Sequence, residues 1–164
     1  MRHDQRHDRF LAFYDDTFSE AYRYAGRLCG TDREAAEDLV QDAYASLLRR
    51  WRAGTAESGN DSDLQIAYLI TTIRNRFLDR ARTDEREQRR LRLVAAAGGE
   101  RQPAVVPSQL AALPARERTA LVLRYVDDLA VPDVAAAMDI SVHAAESLLA
   151  RARARLRGEE PRHA

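Results

Sequence analysis

The chain has 164 residues, of which 45% are hydrophobic and 32% are charged, so the composition predicts a folded protein and excludes a disordered one. The formal net charge is zero, which alone does not favour a nucleic-acid partner, although all 26 basic residues are arginine and suit phosphate and guanine. Cys29 is the single cysteine, which excludes an intrachain disulfide, and no apolar run reaches the ~18 residues that span a membrane. The charged start, MRHDQRHDR, resembles no signal peptide, so we expect a cytoplasmic protein without membrane contact of its own.

The first half of the chain predicts two helices after a disordered tail at residues 1–9. Apolar residues keep helical spacing from Phe10 to Cys29, and Gly30 is expected to end that helix. Thr31 and Glu34 match a capping box at the start of a second helix, which runs to about Trp51. The buried stripe of this second helix is predicted to be Ala36, Val40, Ala43, Leu47 and Trp51.

A third helix is predicted from Leu64 to Arg82, after a polar loop at residues 54–63. One apolar stripe follows its length, made of Ile66, Ile70, Ile73, Phe77 and Ala81. The opposite side carries guanidinium and amide groups from Arg74, Asn75, Asp79, Arg80 and Arg82. Such a helix is expected to contact a core on one face and an anionic partner on the other.

The second half predicts a separate helical domain after a linker at residues 94–108, which is rich in glycine and proline. A short helix from Ser108 to Leu113 precedes one that begins at Pro114 and ends at Val126. A further pair, Pro132 to Met138 and Ser141 to about Arg157, has the proportions of a helix-turn-helix. The buried stripe of the last helix is predicted to be Val142, Ala145, Leu149, Ala152 and Leu156. No strand pattern is present, so the fold class is all-α, with two small helical domains at residues 10–93 and 109–158 and a tail at 159–164.

Charge is segregated along the chain. Residues 31–42 hold five acids against one arginine, whereas residues 74–92 hold eight arginines against four acids. Residues 141–157 hold four arginines against one acid. Two basic segments and one acidic segment predict two kinds of partner surface, although charged helix faces are also commonly just solvated.

Catalytic chemistry is thinly represented, so we expect no enzyme, no catalytic residue and no cofactor. The four histidines lie mostly in the tails, and no His or Cys spacing suits a metal. Asp127 and Asp128 are typical of a turn rather than of an acid–base pair.

Taken in order, four motifs resemble the extracytoplasmic-function sigma factors, the smallest members (group IV) of the bacterial sigma-70 family. The motifs are EAAEDLVQDAYASLLRRW (34–51), AYLITTIRNRFLDRAR (67–82), LPARERTALVLRYVDDLAVPDVAAAMDIS (113–141) and LLARARARLR (148–157). The resemblance covers about residues 10–157. It implies a promoter-specificity subunit that binds core RNA polymerase through the β′ clamp helices and the β flap, and it implies an anti-sigma factor as a further partner.

The resemblance also implies roles for individual residues. Those facing core polymerase would be Asp38, Leu39, Gln41 and Asp42. Those contacting single-stranded −10 DNA would be Tyr68, Arg74, Asn75, Arg76, Arg80 and Arg82, with the 54–66 segment beside a flipped base. Those contacting duplex −35 DNA would be Ser141, His143, Glu146, Ser147, Arg151 and Arg153.

The chain departs from the family in the recognition helix. Glu146 stands where relatives often have a basic residue, and Leu148 stands where they often have arginine. Tyr68 replaces a common tryptophan and keeps an aromatic ring. The −35 sequence is therefore expected to differ from that of typical relatives. Two other hypotheses stay open from the sequence, a stand-alone helix-turn-helix regulator that senses a ligand or dimerises, and a decoy that binds an anti-sigma factor.

Overall fold

The computed structural model describes residues 2–53, 62–92 and 109–158, and within these ranges every regular element is an α-helix. In chain order the helices are α1 (Arg2–Cys29), α2 (Arg33–Ala53), α3 (Ser62–Arg92), α4 (Ala115–Tyr125), α5 (Val131–Met138) and α6 (Val142–Leu156). Helices α1 to α3 form an N-terminal unit and α4 to α6 a C-terminal unit, so the all-α prediction is confirmed.

Two helices are longer than their apolar patterns predict. α1 begins at Arg2, within the predicted tail, and α3 continues to Arg92, beyond the predicted end at Arg82. The physical reason is that apolar periodicity marks only the turns that pack on a core. Polar turns that extend past the core leave no such mark.

The core of the N-terminal unit lies where its three helices meet. Its largest fully buried side chains are Leu28, Leu39, Leu47, Leu69 and Ile73. Gly30 ends α1 in the left-handed conformation, with φ +68°, as predicted. The α2 cap differs from the prediction, because Asp32 rather than Thr31 accepts the first-turn hydrogen bond, from the Ala35 amide at 3.0 Å.

The buried side of α3 is rotated from the predicted stripe. Leu69 and Ile73 are the fully buried positions facing the N-terminal core, while Ile66 and Ile70 are only half-buried. Leu78 is also buried, but it belongs to the core of the C-terminal unit. α3 therefore packs on both units and has two apolar sides instead of one.

The C-terminal unit is a three-helix arrangement in which α5 and α6 form the predicted helix-turn-helix. Ser141 caps α6, since its hydroxyl accepts a hydrogen bond from the Ala144 amide at 3.1 Å, which confirms that prediction. Two predictions are wrong. Val142, which was predicted to be buried, is 44% exposed, whereas Leu148, which was not, is buried in the core. Residues 109–112 form turns rather than a short helix.

The two units share their apolar cores. Val122 of α4 is buried in the N-terminal cluster, and Leu78 of α3 is buried in the C-terminal cluster. Phe77 and Leu110 contact both clusters. The predicted linker at residues 94–108 and most of the predicted 54–63 loop lie outside the described residues.

Candidate functional site

The residues predicted to face polymerase lie on α2, and three of the four are accessible. Asp38 and Gln41 are exposed, and the Asp42 side chain is 45% exposed. Leu39 is 1% exposed, so it lies in the core below the face predicted to bind polymerase. A leucine one position after an outward acid turns about 100° around the helix, which here carries it into the core.

Asp42 also holds two arginines of the basic helix. Its Oδ2 lies 3.3 Å from Nη1 of Arg76 and 3.0 Å from Nη2 of Arg80. Arg76 donates a second hydrogen bond to the Ser46 hydroxyl at 2.8 Å. One carboxylate therefore joins the predicted polymerase face to the predicted −10 face. Because all three charged groups are partly exposed, each pair contributes only about 0.2–1 kcal/mol and can be exchanged for another partner.

The remaining predicted −10 residues lie along α3 next to the C-terminal unit. Arg74 pairs with Asp127 at 3.4 Å, and Arg82 donates a hydrogen bond to the Ala137 carbonyl. Asn75 is exposed, in an open groove of about 320 Å³ that is also lined by Ala137 of α5 and by Leu129 of the turn before α5. The structure thus brings Arg74, Asn75 and Arg82 together.

Tyr68 lies apart from this groove, near the start of α3. Its ring is half-buried against the N-terminal core, and the Arg50 guanidinium lies 4.3 Å from the ring centroid. A cation on the face of an aromatic ring is a favourable contact. It also occupies one face on which a base would stack.

Asp127 is the polar centre of the contact between the units. Its side chain is 6% exposed, and besides Arg74 it accepts a hydrogen bond from the Tyr24 hydroxyl at 2.9 Å. Burial, followed by the negative charge of Asp127 and this hydrogen bond, raises the pKa of the Tyr24 hydroxyl far above its usual range. Tyr24 therefore stays a hydrogen-bond donor at any physiological pH.

Arg118 forms a second polar link between the units. Its buried guanidinium donates to the Leu28 carbonyl at the end of α1 and to the Leu113 carbonyl, both at 3.0 Å. A Cβ at Gly30 would lie 2.7 Å from the Arg118 guanidinium carbon. Gly30 is thus needed for two reasons, its positive φ and the room it leaves for Arg118.

A cavity of about 440 Å³ lies beside this link, between α3 and α4. Cys29 lines it and is 8% exposed. Burial, with a smaller contribution from the charge of Asp32, raises the pKa of the Cys29 thiol from 9.0 to about 11. The thiol is therefore protonated and unreactive at neutral pH.

The predicted −35 residues lie on the outer side of α6. Those that are exposed are Ser141, His143, Glu146, Arg151 and Arg153, and Ser147 is half-buried. Arg153 donates to the hydroxyl of the exposed Tyr125 at 3.3 Å. Leu148 is buried, so the position where relatives often carry arginine serves the core in this chain.

Four residues with evident structural roles were missed from the sequence: Tyr24, Glu117, Arg118 and Asp127. A signal for Glu117 and Arg118 was present, because they lie just before the apolar run ALVL at residues 120–123, and the structure buries every residue from Glu117 to Leu123. Because this part of α4 has no continuous polar face, the helix is expected to pack on more than one side. Asp127 gave no such signal, since an aspartate pair in a turn is ordinary.

Neither a group of metal ligands nor a membrane-spanning helix is found in the part of the chain that the structure describes. No three His, Cys, Asp or Glu side chains are grouped there as metal ligands would be. Within the same residues, no helix combines the length and apolar character needed to cross a membrane.

Two family models match the chain, sigma-70 region 2 over residues 13–87 and sigma-70 region 4 over residues 105–156. No curated protein sequence matches it. Among solved structures, the sigma factor RpoE in complex with the anti-sigma factor NepR from Bartonella quintana is 25% identical, with 91% of this chain and 94% of that chain covered and a TM-score of 0.49. A chain of the RsbN–BldN complex is 22% identical, with 91% of this chain and 89% of that chain covered and a TM-score of 0.35.

The two family matches coincide with the two structural units. The region 2 match takes in α2 and most of α1 and α3, and the region 4 match takes in α4 to α6. Only residues 88–104 separate the matches, a spacing too short for another domain of the sigma-70 type. The chain therefore belongs to the sigma-70 family and is a sigma factor of the extracytoplasmic-function group.

Proposed function

We propose that three helices of this sigma factor have separate functions: binding core polymerase, recognising −10 DNA and recognising −35 DNA. The outer face of α2 binds core RNA polymerase at the β′ clamp helices through Asp38, Gln41 and Asp42. α3 reads and melts −10 DNA, with Asn75 contacting an unpaired base. α6 reads duplex −35 DNA while the C-terminal unit contacts the β flap. The subunit itself carries no catalytic step, and an anti-sigma factor is expected as a regulatory partner.

The observation that carries this proposal is the separation of charge on the surface. The arginines of α3 and α6 are at least partly accessible, as phosphate contacts must be, and the exposed acids lie on a different helix, α2, where Asp42 borders the basic surface of α3. Neutralising several phosphates with arginine makes DNA binding salt-dependent. Exposed acidic side chains suit a basic protein partner.

Promoter binding requires the units to move apart. Asn75 lies in a groove that α5 also lines, and Arg74 and Arg82 are bound to the C-terminal unit. While the units are together, Asp127 and the Ala137 carbonyl occupy donor groups of Arg74 and Arg82 that phosphates of the −10 strand would need. We therefore propose that phosphates replace Asp127 as the partner of Arg74 when the open complex forms.

Co-elution with core polymerase tests the docking face. Asp38→Arg should abolish co-elution and promoter-dependent transcription, because it places a cation against a basic surface. Glu20→Arg makes the same charge change on the exposed surface of α1 and should leave co-elution intact. Co-elution of Asp38→Arg at wild-type level would refute the assignment of α2. No co-elution of the wild-type chain would favour a stand-alone regulator.

A template comparison tests the −10 assignment. Asn75→Ala should reduce transcription from duplex promoters by about tenfold, the scale of one lost hydrogen bond to a base. The reduction on templates already melted over the −10 element should be smaller. Equal loss on both templates would contradict a role of Asn75 in melting.

A further inference from the structure

The first turn of α4 contains a buried carboxylate that the proposed roles do not use. The Glu117 side chain is 6% exposed, although glutamate is rarely buried without a partner. Removing a carboxylate from water is costly unless opposite charges or hydrogen bonds compensate. The neighbours of Glu117 therefore show how its buried charge is compensated.

Both compensating charges come from α6. Nε of Arg151 lies 3.5 Å from Oε1 of Glu117, and Nε of Arg155 lies 3.0 Å from Oε2. Arg151 and Arg155 are four residues apart, so they lie one turn apart on the same side of α6. Within the described residues Oε2 accepts no well-aligned hydrogen bond, so charge attraction is its main compensation.

The arginines remain available to a ligand while they are held. Their side chains are 49% and 42% exposed, and the closest contact of each is made through Nε rather than through the terminal nitrogens. One negative charge between two positive charges leaves this part of α6 with a net positive charge. The terminal nitrogens can therefore still donate to a phosphate or to O6 and N7 of guanine.

We infer that Glu117 is a positioning residue for −35 recognition, because it orders Arg151 and Arg155 before DNA arrives. A free arginine side chain samples many rotamers, and binding has to restrict them. A buried carboxylate on the neighbouring helix restricts them in advance. This inference rests on the proposed function, in which α6 reads the −35 duplex.

Arg153 provides an internal control. It lies on the same helix, but it contacts the Tyr125 hydroxyl at 3.3 Å instead of Glu117. Tyr125 is 58% exposed, so this contact orders Arg153 less firmly than a buried ion pair would. If Glu117 has a positioning role, it should affect the DNA contacts of Arg151 and Arg155 and not those of Arg153.

The test is a mutant cycle in holoenzyme assembled with core polymerase. The readout is the ratio of dissociation constants for a promoter selected by this holoenzyme and for the same promoter with a scrambled −35 element. Glu117→Gln should lower this preference about five- to tenfold, the scale of the entropy lost when a long side chain is ordered on binding. Affinity for the scrambled promoter should stay equal or rise, because a negative charge near DNA has been removed.

The cycle separates positioning from general damage. Combined with Arg151→Ala and Arg155→Ala together, Glu117→Gln should have less than about a twofold further effect, whereas with Arg153→Ala it should keep its full effect. Equal effects in both backgrounds would overturn the inference. A wild-type holoenzyme that does not distinguish the two promoters would overturn the proposed −35 role, and the inference with it.

A measurement on the unmodified chain covers the case in which Glu117→Gln does not fold. Arginine Nε–H relaxation by NMR should show Arg151 and Arg155 ordered on the ps–ns timescale and the exposed Arg33 mobile. Arg151 and Arg155 signals as mobile as that of Arg33 would overturn the inference without any substitution.

Discussion

Arg118→Ala is the substitution that most directly probes the contact between the two units. Of its two 3.0 Å hydrogen bonds, the one to the Leu28 carbonyl crosses between the units. A hydrogen bond from a charged donor contributes about 1.5–3 kcal/mol, so its loss should shift the closing equilibrium about 10- to 150-fold towards separation. The variant should therefore open more often while each unit keeps its helices.

Cys29 reports this opening, because it lines the cavity between the units. With its pKa at about 11 instead of 9.0, about 0.1% of the thiol is ionised at pH 8, compared with about 10% for an ordinary cysteine. Alkylation by iodoacetamide should thus be slow in the closed chain. Arg118→Ala should raise the rate by about tenfold or more, since opening exposes Cys29 to water and reagent.

The sign of this effect is informative. The positive charge of Arg118 lowers the pKa of Cys29, so removing it from a chain that stayed closed would make the thiol less reactive. Faster alkylation then reflects greater access of water and reagent to Cys29 rather than the lost charge, and circular dichroism measured under the same conditions excludes unfolding.

The matched control is Arg124→Ala, the same change on the same helix. Arg124 contacts Asp128 at 3.4 Å and the Leu129 carbonyl at 3.3 Å, both within the C-terminal unit. It should be alkylated at the wild-type rate. An Arg118→Ala variant no faster than Arg124→Ala would refute the idea that Arg118 holds the units together.

Three further outcomes are expected. Asp127→Asn should strengthen binding of the free chain to a single-stranded −10 oligonucleotide several-fold, because it releases Arg74 from its ion pair. Fluorescence anisotropy measures this affinity. An unchanged affinity would contradict the idea that Asp127 keeps Arg74 from DNA. Gly30→Ala should lower the free energy of unfolding in urea by about 1–3 kcal/mol, since φ is +68° and the new methyl group meets Arg118. In an Arg118→Ala background the same substitution should lower it by less. An equal loss of unfolding free energy in both backgrounds would leave backbone strain at residue 30 as the only cause. The raised pKa of Cys29 means that the folded chain binds the thiol proton more tightly than the unfolded chain, so stability should fall as pH rises from 9.0 through about 11. Cys29→Ala should remove this part of the fall. Identical profiles of stability against pH for the wild type and the variant would contradict the raised pKa.

The sequence predicted the helices best where a local signal marks them. Gly30 and Ser141 act through their own backbone and side-chain chemistry, and both were placed correctly. Asp32 was missed in favour of Thr31, because either residue can cap a helix and only the path of the chain decides between them.

The contact between the units could not be predicted from periodicity. A stripe shows which face of a helix is apolar, but it does not show which partner covers that face. Leu78 lies outside the predicted stripe of α3, and no stripe was predicted for α4, yet Leu78 and Val122 are each buried in the other unit. Leu39 illustrates the same limit, since its neighbours on an acidic helix gave no sign that it points inward.

The candidate site was predicted in its residue types but not in its internal pairing. The resemblance named Asp42, Arg76, Arg80 and Arg151 for external partners, and the structure gives each of them a partner within the chain. Long side chains choose among nearby charges by tertiary geometry, which sequence spacing does not encode.

Leu78 and Val122 are each buried in the core of the other unit, and this affects the affinity of the chain for polymerase and promoter. If only the separated form binds polymerase and promoter, the apparent dissociation constant equals the intrinsic one divided by the fraction of chains that are open. Burial of two such apolar side chains at about 1.5–3 kcal/mol each makes that fraction small in the free chain. A variant with a smaller residue at 78 or 122 should therefore bind polymerase more tightly while its closed form is less stable.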